Sequence, residues 1–390
     1  MTIGIIGSGA MGAGIAQVAA TAGHTVWLLD QNQAALQHAT LRIRQSLDKL
    51  TEKGKLTAEA AAAAFTRIHF TEKQTNFADC GLVLEAIVED LAAKQQVFQE
   101  VERVVSADCL LATNTSSLSI TSIAAACQRP ERFVGIHFFN PAPLMQLVEV
   151  VPAVQARPGL ADEVQALVRS WGKRPVLVQD TPGFIVNRVA RPYYGEAIRL
   201  LEEGVADAAT IDWALTELGG FRMGPFALMD FIGHDVNYRV TESVWTAFFY
   251  DPRYRPSLTQ KRLLEAGYYG RKSGRGFYDY APDASAPTPT RDEALGHRIL
   301  HRVLAMLINE AADALYLRVA TAADLEVAMT TGVNYPKGLL AWADELGLPH
   351  VLQTLDGLYH AYHEERYRAS PLLRRMAHAG QTFFPAEVTL

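Results

Sequence analysis

Cysteine is scarce in this chain. Cys80, Cys109 and Cys127 are the only three in 390 residues. The number is odd and the spacing suits no metal, so neither a disulfide-stapled scaffold nor a zinc module is expected; reduced thiols in the cytoplasm are. A surplus of positive charge is also missing. With 36 Lys+Arg against 42 Asp+Glu the formal net charge is −6, which argues against a nucleic-acid partner. Although 49% of the residues are hydrophobic, no apolar run is long enough to cross a membrane. The opening Met1-Thr2-Ile3-Gly4-Ile5-Ile6-Gly7 lacks a cationic stretch and reads as a buried strand, not as a signal peptide. What remains is a soluble, cytoplasmic globular protein of two or three domains.

What is present begins with glycine. The strand Ile3–Ile6 runs straight into Gly7-Ser8-Gly9-Ala10-Met11-Gly12, and Ile15, Val18, Ala19 and Ala22 then recur at helical spacing. A second strand, Thr25–Leu29, ends at Asp30. A Gly-x-Gly-x-x-Gly match between strand and helix, with an acid closing the next strand, is a dinucleotide-binding fingerprint. Gly7 permits the tight turn, Gly9 lets a pyrophosphate reach the backbone, and Gly12 lets helix and strand pack closely. The helix N-terminus favours the phosphate charge. Asp30 would accept the ribose hydroxyls and repel a 2′-phosphate, and Gln31, Asn32 and Gln33 bring no cation. NAD is therefore expected over NADP; the alternative is that Asp30 merely caps the next helix.

Residues 32–64 read as amphipathic helices, with Ser46, Lys49, Lys53 and Lys55 on a solvated face. Further strands are expected at Leu82–Ile87, Leu110–Thr113, around Phe133–Ile136, at Met145–Val151 and at Pro175–Val178, alternating with helices. That alternation predicts a mainly parallel, doubly wound, Rossmann-like sheet with functional groups at strand C-terminal ends. His137 lies at one strand end, and Glu149 stands twelve positions on, across the turn Phe139-Asn140-Pro141-Ala142-Pro143. A base that titrates near neutrality beside a carboxylate that fixes its tautomer is what proton transfer needs. The alternative is a histidine satisfied by a loop carbonyl.

From Phe184 the pattern is helical, and it repeats. Glu196-Ala197-Ile198-Arg199 matches Glu310-Ala311-Ala312-Asp313, and at the same offset Asp212 falls on Glu326, Gly224 on Gly338 and Asp230 on Asp344. Arg253-Tyr254-Arg255 meets Arg366-Tyr367-Arg368 after a one-residue shift. The expected organisation is a Rossmann-like domain over 1–182, a helical unit over 183–280, a Pro/Ala-rich linker over 281–290 and a second helical unit over 291–390, together an all-α region of two repeats.

The glycine loop, Asn114-Thr115-Ser116-Ser117-Leu118, His137-Phe138-Phe139-Asn140-Pro141, Val148-Glu149-Val150 and Pro182-Gly183-Phe184-Ile185-Val186-Asn187-Arg188 closely resemble the L-3-hydroxyacyl-CoA dehydrogenases. The resemblance covers residues 1 to about 280 in full. The second repeat is similar to the extra C-terminal unit of longer bacterial members, of the 3-hydroxybutyryl-CoA and 3-hydroxyadipyl-CoA type.

The resemblance implies NAD-dependent, reversible oxidation of a 3-hydroxyacyl-CoA in fatty-acid metabolism of the β-oxidation kind, without a metal. His137 would be the base and Glu149 its partner, with Ser116 and Asn187 holding the substrate oxygen. It also implies that Gly7, Gly9, Ala10, Met11, Gly12, Asp30, Glu89, Lys94, Asn114, Ser116 and Asn140 line the cofactor. Ser46 and Lys53 would meet coenzyme A, which revises the solvated-face reading. In the second repeat His301 falls opposite Asn187, so that copy is not expected to be catalytic. Single-unit members dimerise, so the second copy is expected to make the chain a monomeric internal pseudo-dimer or a homodimer. Two alternatives stay open: a dehydrogenase of free hydroxy or sugar acids, using Arg188 or Arg191 for the carboxylate, and an NAD-binding protein without turnover.

Overall fold

The computed structural model describes residues 1–385, so the last five residues of the expected second helical unit lie outside the described part. The chain divides into two units, Met1–Phe184 and the remainder from Ile185.

The first unit is an eight-stranded sheet with helices on it. Its strands are β1 (Thr2–Ile6), β2 (Thr25–Leu29), β3 (Ile68–Thr71), β4 (Leu82–Glu85), β5 (Leu110–Thr113), β6 (Phe133–Phe138), β7 (Leu147–Pro152) and β8 (Arg174–Leu177). The helices are α1 (Ala10–Thr21), α2 (Gln33–Glu52), α3 (Ala58–Thr66), α4 (Leu91–Val101), α5 (Ile120–Ala124) and α6 (Leu160–Ser170). Central strands are mostly apolar because both faces are covered; Leu82 to Glu85 are all buried, the charged Glu85 included. The order is β3-β2-β1-β4-β5-β6-β7-β8. The order reverses between β1 and β4, which opens the crevice where such sheets bind ligands.

Two details differ from the sequence expectation. β3 was not anticipated: its four residues, Ile-His-Phe-Thr, follow an alanine-rich helix and are too few to set a pattern. β7 runs antiparallel to β6, because an eight-residue turn is too short for the crossover that a parallel neighbour requires. That return sets His137 directly opposite Glu149 in the ladder.

The second unit is helical: α7 (Val186–Val189), α8 (Arg191–Glu202), α9 (Ala208–Trp213), α10 (Pro225–Ile232), α11 (His234–Ala247), α12 (Leu258–Glu265), α13 (Glu293–Tyr316), α14 (Ala322–Gly332), α15 (Leu339–Leu346), α16 (Leu348–Tyr362) and α17 (Pro371–Ala379). Starts of α9, α10 and α11 recur as starts of α14, α15 and α16 at the offset seen in the sequence. The copies share their tethers. Asp212 accepts the Phe226 and Ala227 amides, as Glu326 accepts those of Leu340 and Ala341. They differ where α7 and α8 are separate helices and α13 is one. Pro192, at the start of α8, has no N–H for a continuous ladder, and the matching Met306 does. No helix among the described residues is long and apolar enough to cross a membrane. All three cysteines are free and buried, and burial pushes their thiols up, Cys80 to about 12 and Cys109 to about 11.

Candidate active site

The glycine loop leaves β1 through Gly7, whose φ of +97° is a left-handed conformation that only glycine adopts freely. A side chain there would also strike the Ala86 carbonyl, and one at Gly12 would strike the carbonyl of Gly7 at 1.8 Å. Around Gly9 the space is open. Gly9 also starts α1, with no side chain capping it and no acid in the first turn. Free amides, a positive helix end and room at Gly9 fit a pyrophosphate.

Asp30 accepts hydrogen bonds from the Ser8 amide and hydroxyl, both at 2.8 Å, and from the Asn32 amide at 3.0 Å. Burial opposes its charge, but these donors prevail and hold the carboxyl below the ordinary range. The cap of α2 is Asn32, which accepts the Ala34 and Ala35 amides, so Asp30 is tied to the loop instead. A cavity of about 300 Å³ lies here, lined by Gly7, Asp30, Gln31, Glu72 and Ile87 among others, with no lysine or arginine in its wall.

Beyond β4 and β5 the polar groups interlock. Glu85 is fully buried and accepts from Lys94 Nζ (2.6 Å), Thr113 Oγ1 (2.7 Å) and the Ile87 amide (2.6 Å). Lys94 is 1% exposed and also lies 3.4 Å from Glu89. Glu89 Oε1 gathers the next turn, accepting from the Thr115 hydroxyl (2.6 Å), the Ser116 amide (2.9 Å) and the Ser116 hydroxyl (3.3 Å). Burial works against Glu89's charge, but Lys94 and the hydroxyls bring its carboxyl below the usual range. Asn114 Oδ1 accepts the Phe138 amide at 2.8 Å, which ties this turn to the strand carrying His137.

His137 is 6% exposed and Glu149 not at all. His137 Nδ1 lies 2.7 Å from Glu149 Oε2. An ionised carboxylate only accepts, so Nδ1 carries the hydrogen and Nε2 is left as the basic nitrogen. Phe139 and Phe184 stand 4.6 and 5.9 Å from the imidazole, ring to ring, and keep the pair in apolar surroundings. The arrangement can take a proton at Nε2 and stabilise the resulting imidazolium through the carboxylate.

Asn140 is exposed and shares a second cavity of about 300 Å³ with Ser46, Lys49, Lys53 and Leu144. The two residues expected at coenzyme A and two expected at the cofactor, Ala10 and Asn140, thus meet between α1, α2 and the turn after β6. Asn187 sits in α7, in the second unit. Arg188 beside it is 1% exposed, with Nε 2.6 Å from Glu310 and Nη2 3.3 Å from Asp313.

Sequence reasoning missed three side chains. Glu85 had a signal, a lone charge in the apolar run Leu-Val-Leu-Glu. Lys173 is 7% exposed, and its amine donates to the Ala142 and Met145 carbonyls, both at 2.7 Å. Asp180 accepts from the Ser119 hydroxyl and the Ile120 and Thr121 amides at the start of α5.

Comparison with known proteins gives a consistent result. The family model described as 3-hydroxyacyl-CoA dehydrogenase, NAD binding domain, matches residues 2–181. The one described as 3-hydroxyacyl-CoA dehydrogenase, C-terminal domain, matches residues 183–280 and again 299–383. The chain is 39% identical to a 3-hydroxyadipyl-CoA dehydrogenase of Escherichia coli, over 96% of this chain and 97% of that protein. It is 45% identical to a probable 3-hydroxybutyryl-CoA dehydrogenase of Deinococcus radiodurans, over 72% of this chain and all of that one. A solved structure of a 3-hydroxybutyryl-CoA dehydrogenase from Escherichia coli superposes with a TM-score of 0.93 at 38% identity, covering 97% of this chain and 98% of the other.

Proposed function

The chain belongs to the 3-hydroxyacyl-CoA dehydrogenase family, and we propose that His137 and Glu149 carry its reaction, the NAD-dependent, reversible oxidation of an L-3-hydroxyacyl-CoA to the 3-oxoacyl-CoA. The observation that supports the assignment is the 2.7 Å contact between His137 Nδ1 and Glu149 Oε2 in a buried, apolar setting. NAD, when bound, supplies the hydride acceptor. His137 Nε2 removes the hydroxyl proton, and Glu149 stabilises the imidazolium. The Ser116 hydroxyl, on a turn gathered by Glu89, orients the substrate oxygen. Asn187 is assigned the same role on the strength of its sequence motif.

For the cofactor we assign the Gly7–Gly12 loop to the pyrophosphate, including Ala10 and Met11, and Asp30 to the adenosine ribose. Glu89, Asn114, Ser116 and Asn140 line the remainder. Lys94, buried between Glu85 and Glu89, serves from behind by holding Glu89 in place. Ser46 and Lys53 contact coenzyme A. The working state is a cytoplasmic monomer or homodimer.

Arg188 bears on the free-acid alternative. Its guanidinium is committed to Glu310 and Asp313, which leaves it poorly suited to a substrate carboxylate. The deciding assay follows NADH oxidation with acetoacetyl-CoA and with free acetoacetate. Turnover of the thioester alone is expected. Equal turnover of the free acid would favour the hydroxy-acid reading, and turnover of neither would leave a binding protein.

A further inference from the structure

The two helical copies exchange their buried ion pairs. Arg188 of the first copy binds Glu310 of the second at 2.6 Å, and the matching Arg302 of the second binds Glu196 of the first, also at 2.6 Å. Tyr254 donates to Glu310 at 2.5 Å, and its counterpart Tyr367 donates to Glu196 at 2.7 Å. Reciprocity of this kind marks a two-fold relation between the copies.

It is not complete: Arg302 also binds Glu203, whose match is Leu317, and a second departure lies at Asp313. Arg253 has a carboxylate to meet, lying 3.0 Å from Asp313. Its counterpart Arg366 should meet the residue that matches Asp313, and that residue is Arg199. The chain therefore sets a cation where the pattern calls for an anion.

Arg199 and Arg366 line a cavity of about 870 Å³ that also includes Trp245. Arg199 is half-buried, and its guanidinium has no hydrogen-bond partner among the described residues. Arg366 is 5% exposed, and its Nε is buried without a partner, as is the indole N–H of Trp245. Two of the three carboxylates in the wall are paired with arginines, and the third is held by hydroxyls. Glu203 is paired with Arg302 (2.7 Å), Glu364 with Arg366 (3.0 Å), and Glu202 accepts the Ser257 and Thr259 hydroxyls. The wall carries more cations than anions, with Arg199, Arg255, Lys261, Arg262 and Arg366 against these three carboxylates. Burial makes protonation of Arg199 harder than usual and the Arg366 charge adds to this, outweighing the nearby Glu196 and Glu364 carboxylates; an added anion would relieve it.

We propose that this cavity is an anion site, distinct from the dehydrogenase centre. It takes a small molecule bearing a phosphate or a carboxylate, whose oxygens lie between Arg199 and Arg366 and supply the negative charge that Asp313 supplies at the matching position. Arginine favours both groups because its fork of N–H donors matches their oxygens.

The test is the thermal midpoint of the full chain in low-millimolar inorganic phosphate and in citrate, each against sodium chloride at equal ionic strength. An anion at about ten times its Kd should raise the midpoint by about 2–4 °C. A rise in phosphate alone identifies a phosphate site, a rise in citrate alone a carboxylate site, and a rise in both a general anion site. Arg199→Gln should abolish the rise. Arg199→Asp should abolish it too and start from a higher midpoint, because the chain then carries its own anion. No anion-specific rise in the parent, or the same rise in Arg199→Gln, would overturn the proposal, and the Gln variant decides even where the Asp variant folds poorly.

Discussion

At the scale of single residues, much of the first unit's chemistry could be read from the chain. His137 and Glu149 stand at the facing ends of two apolar runs joined by a short turn, and an antiparallel return brings such ends together. If His137 is the base, His137→Asn should bind NADH as before, while turnover falls by roughly 10²–10⁴-fold. Binding measured by fluorescence and turnover measured on acetoacetyl-CoA check the two halves separately. Near-normal turnover at neutral pH would remove His137 from the reaction. Asp30 makes a second case. Three donors hold its charge, and the cavity beside it has no cation, so a 2′-phosphate would meet only negative charge. Kinetics should favour NADH over NADPH by about tenfold or more; equal efficiencies would mean that Asp30 serves only to tie the loop. Glu85 and Lys173 were harder to read, because their partners are backbone groups and side chains that only the folded sheet brings near.

At the scale of elements, the piece that holds the His137–Glu149 pair is the turn between β6 and β7. Lys173 fastens it from the start of β8 by donating to the Ala142 and Met145 carbonyls. No sequence pattern could have shown this, since the tie spans about thirty residues and ends on carbonyls common to every residue. Lys173→Met keeps the apolar stem and removes both donors. Lost hydrogen bonds and the relieved cost of a buried charge offset each other in stability, while the turn loses its anchor. Turnover should fall by about 10- to 100-fold, the scale of a small misplacement of reacting groups. The amine also leaves a pH signature. Burial lowers its pKa to about 8 in the folded protein, against about 10.4 in an unfolded chain. Between those values the unfolded state holds a proton that the folded state has released, so stability from this group rises with pH over that window. Denaturant titrations of the parent and of Lys173→Met from pH 7 to 10 should diverge in that sense. A constant difference across the window would show that the amine does not titrate there.

At the scale of the whole molecule, the repeat was visible in the sequence as matched residues, but its purpose appears only when the partners are traced. Each copy gives the other an arginine and a tyrosine and receives a glutamate, so neither can satisfy its buried charges alone. Removing one side of a buried pair costs far more than the pair contributes, because the remaining charge stays buried. Ending the chain after Tyr280 would leave Arg188 and Arg253 without Glu310 and Asp313, and would also strip away α13, most of whose length is buried. At about 25 cal/mol per Å² of apolar surface, several hundred Å² of uncovered face is worth several kcal/mol. The shortened chain nevertheless holds a self-complementary set: Arg188 and Tyr254 of one protomer could engage Glu196 of its partner, and the reverse. It should therefore aggregate or form a concentration-dependent dimer, measured as solution mass by light scattering. That dimer would carry one flaw twice, Arg199 facing Arg253 of the other protomer where the full chain has Asp313. Arg199→Asp in the shortened chain should then tighten the dimer. A shortened chain that stays monomeric, soluble and fully active would refute the view that the second copy covers the first.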